Sequence, residues 1–198
     1  MPRELTPPAL VLASGSPHRK LLLQRFGLSF EQDSPNIDER QHAGETAIDY
    51  VRRLALGKAE AVACRYPGSV IIGSDQTACR GQRLIGKPGG HAQAVEQLLD
   101  ASGATLQFHT AVCVLDARRQ QHSLDVVTVA AEFRTIDRDT AERYLAAEPA
   151  YDCAGSFRSE GLGISLLSAM RGDDPTALVG LPLIRLGARL RALGYPVP

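Results

Sequence analysis

Residues 9–22 read ALVLASGSPHRKLL, and the way this run breaks decides the class of fold. Ala9 to Ala13 form a short unbroken apolar stretch, as expected of a buried strand. Ser14-Gly15-Ser16 interrupts it, and Pro17 suits the first turn of a helix. Leu21, Leu22, Arg25 and Phe26 then carry a helical period to Gly27, a C-terminal stop. A strand that turns through small residues into a helix aims backbone N–H groups and the positive end of the helix dipole at one point. Ser14 and Ser16 would add hydroxyls there, and Arg19 a fork shaped for phosphate. The run lacks the Gly-Lys-Ser/Thr ending of a P-loop. Taken alone, it reads equally well as a capped helix whose basic face, His18-Arg19-Lys20, is solvated.

The neighbouring segments alternate in the same manner. Residues 28–35 (LSFEQDSP) are a second strand candidate, and 36–46 (NIDERQHAGET) are polar and loop-like. A helix is predicted from Thr46 to about Arg65, with an apolar stripe at Ile48, Val51, Leu54, Ala55 and Val62; Lys58 falls on that stripe. SVIIGSD (69–75) reads as a buried strand ending in an acid. TACRGQRLIGKP (77–88) reads as a hairpin turning at Arg80-Gly81-Gln82. Next come a helix over 89–103, an antiparallel pair over 104–115 and 122–134, and a helix from near Asp137 to Pro149. A small-residue stretch, DCAGSFRSEGLGI (152–164), precedes one more strand, a loop (GDDPT, 172–176) and a final helix from near Pro182. This order, without repeats or linkers, predicts a single α/β domain over residues 1–198 with a mixed, partly antiparallel sheet flanked by helices.

Composition narrows the chemistry. Of 198 residues, 44% are hydrophobic, enough for a sizeable core. Lys+Arg and Asp+Glu both total 22, so no bulk positive field exists to hold a nucleic-acid duplex, and an anion must be bound locally. Cys64, Cys79, Cys113 and Cys153 are widely spaced, which speaks for reduced thiols over a zinc knuckle or disulfide framework. The N-terminal MPRELTPPALVLASGS has no apolar stretch long enough for a signal peptide, and no later run is long enough to span a bilayer. A cytoplasmic protein without membrane contact is expected. Only Lys20, Lys58 and Lys87 are lysine, against 19 arginines, so each ammonium stands out as a group able to do what a guanidinium cannot.

Three further places can carry chemistry. Asp75, at the expected carboxyl end of a buried strand, sits where open α/β sheets place ligands, and could bind a divalent cation or take a proton from water. A turn acid would look the same. Lys87, at the far end of the hairpin, could return to the side of Asp75. Lys58 either snorkels outward or points into a site that needs its charge. With Arg19 and the acids Asp38, Glu39 and Asp75, these lysines make the set required for metal-assisted phosphoryl chemistry, in which cations hold phosphate oxygens while carboxylates hold metal and orient water. Glu160, the acid among small residues, could accept hydrogen bonds from a guanine-type base edge, or be an exposed loop acid.

Together, LASGSPHRKLL, NIDE, LALGKA, IIGSDQ, GKP, DCAGSFRSEGLGI and VGLPLIRL resemble the Maf family of nucleoside triphosphate pyrophosphatases, collinearly from about residue 10 to residue 190. The resemblance implies a Maf/ITPase-like fold, a long mixed sheet in two lobes around a central cleft. It implies cleavage of a nucleoside triphosphate between the α- and β-phosphates with a divalent cation (Mg²⁺, Mn²⁺ or Co²⁺), and it leaves a homodimer open. Carried over by position, Asp75 looks like the proton acceptor or a metal-linked carboxylate, and Glu39 like a second catalytic or metal-associated acid. Lys58 and Lys87 look like catalytic phosphate contacts, with Ser14, Ser16 and Arg19 completing the phosphate site. Gln76 after the Ser-Asp pair, and Glu160 where dTTP/UTP-hydrolysing members carry Gln, are similar to the branch that acts on 7-methyl-GTP. That branch commonly has tryptophan at the position of His18; imidazole stacks less strongly and, when protonated, repels a cationic base. The alternatives are a dTTP/UTP pyrophosphatase and a non-catalytic nucleotide-binding regulator of cell division.

Overall fold

The computed structural model describes residues 7–198; the opening hexapeptide of the N-terminal segment considered above lies outside them. The apolar run of the opening stretch is strand β1 (Leu10–Ala13), fully buried, and it leads through Ser14-Gly15-Ser16 into helix α1 (Pro17–Gln24). The expected second strand shortens to β2 (Glu31–Asp33), parallel to β1. Thr46 then caps helix α2 (Ala47–Ala63), its hydroxyl accepting from the Asp49 amide at 3.2 Å.

Strand β3 (Val70–Arg80) is the spine of the sheet. It lies parallel to β1 over Val70–Gly73 and forms the predicted hairpin with β4 (Arg83–Ile85) at its end; Gly81 takes the left-handed conformation (φ 60°) that the tight turn needs. Helix α3 (His91–Ala101) precedes the long antiparallel pair β5 (Thr105–Asp116) and β6 (Gln121–Phe133), followed by α4 (Arg138–Ala147), edge strand β7 (Leu167–Arg171) and α5 (Leu183–Ala192). The seven strands form one mixed sheet in the order β2-β1-β3-β5-β6-β7, with β4 against the end of β3. This is the mixed α/β architecture expected.

Three apolar clusters hold the layers together. α2 packs on one face through Val51, Ala55, Ala59 and Val62 against Ile71, Ala111 and Cys113. α1 and α5 cover the other through Leu22, Leu23, Leu186 and Leu190 against Leu12, Ile72 and Val114. The third lies where α3 and α4 meet the outer halves of β5 and β6, around Leu98, Phe108, Val129 and Leu145. Each fully buried leucine contributes about 1.5–3 kcal/mol relative to an exposed one. The α2 stripe is narrower than expected, because Ile48 is exposed and packing begins at Val51. Among the described residues no helix is long and apolar enough to cross a membrane.

Candidate active site

Asp75 does not end its strand. β3 continues five residues beyond it, because Thr77, Ala78 and Cys79 still find partners on β5 and β4. What ends there is the neighbouring strand. β1 stops opposite Gly73, and the antiparallel β4 ends with Ile85 opposite Ala78, so on that edge Ser74–Thr77 face a gap in the sheet. Asp75 therefore lies just past the carboxyl end of β1, and the ligand crevice opens at that end rather than at the end of β3.

Gly73 sets how closely α2 approaches this gap. A Cβ there would lie 2.1 Å from the Ala55 carbonyl oxygen and 2.9 Å from the Ala59 amide, so only glycine admits the helix at this distance. Lys58, between those two alanines, is thereby carried against β3 and is buried. It does not snorkel: Nζ donates to Asp75 Oδ1 at 2.6 Å and meets Glu39 Oε1 at 2.8 Å. The expected Asp75–Lys87 pairing gives way to this one; Lys58 reaches the carboxylate from the helix above, whereas Lys87 is exposed on the cavity wall. Burial pushes the Asp75 carboxyl above its ordinary range, and the charges of Lys58 and Arg19 pull back against it. Glu39 sits on the 36–46 loop, whose backbone is tied down by the Tyr50 hydroxyl donating to the Glu39 carbonyl at 2.9 Å.

The opening turn forms the adjoining wall. Ser16 caps α1, accepting from the Arg19 amide at 3.3 Å, and the buried Ser14 Oγ accepts from the Ser16 amide at 3.2 Å and from Arg19 Nη1 at 3.3 Å. Gly15 lies so close to Ser34 that a Cβ would stand 2.8 Å from its hydroxyl oxygen. Arg19 Nε donates to the Gly180 carbonyl at 2.8 Å, which turns the guanidinium toward the cavity it lines. Burial lowers the Arg19 pKa, opposed by Asp75 and Glu39, yet a guanidinium stays cationic.

A cavity of about 630 Å³ joins these groups, lined by Ser14, Ser16, Arg19, Glu39, Lys58, Asp75 and Lys87 among others. A smaller one, about 140 Å³, shares Ser16, His18, Arg19, Gln76 and Lys87 with it and is closed by Phe108, Phe157 and Glu160. His18 Nδ1 lies 3.1 Å from Glu160 Oε1 across this space. The Gln76 amide nitrogen meets three acceptors: the Ala177 carbonyl at 2.7 Å, the Leu178 carbonyl at 2.9 Å and Thr110 Oγ1 at 3.1 Å. Its two protons are committed there, which leaves Oε1 as an acceptor for a ligand. Ten of the eleven candidate residues read from the sequence thus line one of two contiguous cavities. Asp38 does not join them: its exposed carboxylate accepts from its neighbour Arg40, Nη2 donating to Oδ2 at 2.6 Å, so of the two adjacent acids only Glu39 reaches Lys58.

The comparisons with known proteins agree with this geometry. The model of the Maf-like protein family matches residues 9–193. The chain belongs to the Maf family. It is 51% identical over 190 residues to the 7-methyl-GTP pyrophosphatase of Alkalilimnicola ehrlichii, with 96% of each chain covered. It is 50% identical over 191 residues to that of Xanthomonas oryzae pv. oryzae, covering 96% of this chain and 100% of the relative. The protein of the same name from Pseudomonas aeruginosa is 47% identical over 191 residues, with the same two coverages. Among solved structures, the Staphylococcus aureus Ham1 protein is a distant likeness, at 15% identity and a TM-score of 0.41, covering 63% of this chain and 71% of that one.

Within this Maf chain, no three His, Cys, Asp or Glu side chains among the described residues converge to enclose a metal ion. Asp75 and Glu39 nevertheless meet on a single ammonium. Two hard oxygen donors beside a wall of hydroxyls and a guanidinium fit a Mg²⁺-like ion, which takes one or two carboxylates and completes its shell with water and phosphate oxygens. Sequence reasoning missed Tyr50, although it lies on the helical row Tyr50–Leu54–Lys58 and so shares a face with the lysine. It also missed Phe108, Phe157, Asp152, Cys153 and Arg158, which wall the smaller cavity. No local signal marks the two phenylalanines, both buried core residues, as bordering a cavity as well.

Proposed function

We propose that this chain is a nucleoside triphosphate pyrophosphatase that hydrolyses 7-methyl-GTP to 7-methyl-GMP and pyrophosphate, acting as one catalytic domain in the cytoplasm. The observation that carries the reading is the single crevice with Asp75, Lys58 and Glu39 in one part and the His18–Glu160 pair in the other. A phosphate-cleaving centre stands beside a pocket of base size, and the curated relatives are named for this reaction.

In this reading Asp75 takes a proton from water as the water oxygen attacks the α-phosphorus, and the bond from that phosphorus to the α–β bridging oxygen breaks. Pyrophosphate leaves while Arg19, Ser16 and Lys87 hold its oxygens, and Lys58 balances charge between Asp75 and the phosphates. A carboxylate raised by burial is a stronger base than an exposed one, which suits Asp75 to this task. A divalent cation, Mg²⁺, Mn²⁺ or Co²⁺, would be held by Asp75 and Glu39 and would neutralise phosphate charge.

The base end favours a cationic guanine. Gln76 Oε1 and the Glu160 carboxylate are acceptors, matching the N1–H and N2–H₂ donors of guanine. Glu160 adds a negative charge for the ring of N7-methylguanine. Its contact with His18 engages Oε1, while Oε2 accepts only a long 3.5 Å bond from the Ser159 hydroxyl and keeps a lone pair for the base.

A pyrophosphate-release screen over ordinary, methylated and oxidised nucleoside triphosphates with each metal tests the reading. One pyrophosphate per nucleotide, fastest with 7-methyl-GTP, is expected. Tight nucleotide binding without product would overturn it in favour of a regulator, and preference for dTTP or UTP would overturn the base assignment.

A further inference from the structure

Thr110 lines neither cavity, yet Gln76, which lines both, and the turn that holds Arg19 meet on it. It is fully buried on β5, directly opposite Gln76 on β3. Its Oγ1 accepts from Gln76 Nε2 at 3.1 Å and donates to the Ala177 carbonyl at 2.8 Å. The same carbonyl receives Gln76 Nε2 at 2.7 Å and the Gly180 amide at 3.0 Å, so it closes the turn 177–180. At the other end of that turn the Gly180 carbonyl receives Arg19 Nε at 2.8 Å, with Ser74 Oγ at 2.9 Å.

The turn is built to hold one shape. Gly180 is left-handed (φ 113°), and a Cβ there would come 3.3 Å from Arg19 Nε, so backbone and guanidinium are pressed together. On the entry side the buried Asp174 accepts from the Thr176 amide at 3.0 Å and from the Ile184 amide at 2.7 Å, which binds the turn to the start of α5. Gln76 on the base side and Arg19 on the phosphate side are therefore oriented by carbonyls of one four-residue turn, which two buried hydroxyls grip from behind: Thr110 at the Ala177 end and Ser74 at the Gly180 end.

We propose that Thr110 is a positioning residue that sets Gln76 and Arg19 together through the Ala177–Gly180 turn, so that base choice and phosphate affinity depend on one buried hydroxyl. The role rests on the reading that the crevice takes a nucleoside triphosphate. Without the hydroxyl the Ala177 carbonyl loses one donor and Gln76 one acceptor, and both cavity-facing groups gain freedom.

Thr110→Val keeps the shape and β-propensity of the residue and removes only the hydroxyl; Thr110→Ser keeps the hydroxyl. The measurements are kcat and KM with 7-methyl-GTP and UTP, calorimetric Kd for inorganic tripolyphosphate, and thermal midpoint. For Thr110→Val, a rise of about fivefold in both KM and tripolyphosphate Kd is expected, the size of one neutral hydrogen bond. The preference for 7-methyl-GTP over UTP should narrow, while Thr110→Ser stays near wild type in all three. A Thr110→Val protein with wild-type tripolyphosphate affinity, or a Thr110→Ser protein equally impaired, would overturn the proposal. If the wild type hydrolyses neither nucleotide but the tripolyphosphate affinities still separate, the nucleotide reading falls and the positioning role stands.

Discussion

His18 Nδ1 and Glu160 Oε1 lie 3.1 Å apart, joining the first turn of α1 to the small-residue stretch after α4. Both side chains are about one-third exposed, so the contact is worth little for stability. Its weight lies in placing an acid and an aromatic ring together in the base-sized cavity.

Removing the charge of Glu160 tests that pocket. Glu160→Gln keeps the shape and loses the attraction for a methylated, cationic base. The ratio of kcat/KM for 7-methyl-GTP over UTP should fall by about tenfold, the effect of roughly 1.4 kcal/mol. An unchanged ratio in competition assays would remove Glu160 from base selection.

Asp75→Asn should lower pyrophosphate release by about 10²- to 10⁴-fold, the range for loss of a general base. Lys58 keeps Glu39 as a partner and the side chain stays isosteric, so circular dichroism and the thermal midpoint should change little. Turnover within a few-fold of wild type would sink the catalytic assignment.

Glu39→Gln should leave the fold intact, since Glu39 is more than half exposed, and raise the half-saturating Mn²⁺ or Mg²⁺ concentration by roughly tenfold or more. Metal titrations of activity read this directly. An identical titration curve would confine Glu39 to its contact with Lys58.

The loop that carries Glu39 has its own acid sensitivity. Glu45 accepts from Arg53 Nε at 2.6 Å and Nη2 at 2.8 Å, and these bonds hold its carboxyl down from 4.5 to about 2. A carboxyl with a depressed folded-state value stabilises fully above 4.5, and that contribution drains away as pH falls from 4.5 toward 2. The thermal midpoint of wild type should therefore exceed that of Glu45→Gln at pH 7, with the gap closing below pH 4.5. A gap constant across that window would refute the assignment.

Local patterning made most elements legible. The apolar run before Ser14-Gly15-Ser16, the Thr46 cap and the Arg80-Gly81-Gln82 turn are set by neighbours within a few positions, and β1, α2 and the β3–β4 hairpin stand where those signals place them. The end of β3 was not legible in the same way. Whether a strand continues past an acid depends on partners such as His109 and Phe108 on β5, which are distant in sequence. The Lys58 side chain was ambiguous for a similar reason: its direction depends on what the α2 face meets, and Gly73 announces only a missing side chain, not the helix that fills its place.

By itself, then, the sequence determined the alternating α/β plan and which residue types were available for phosphate, metal and base, because hydrophobic period, caps and turn residues act over short range. Only the tertiary structure decided how they pair: Lys58 rather than Lys87 on Asp75, Glu39 on the same ammonium, His18 against Glu160, and the 177–180 turn behind Arg19 and Gln76. Those pairings follow from sheet register and from the depth to which α2 packs on Gly73, quantities that arise when distant segments bury one another.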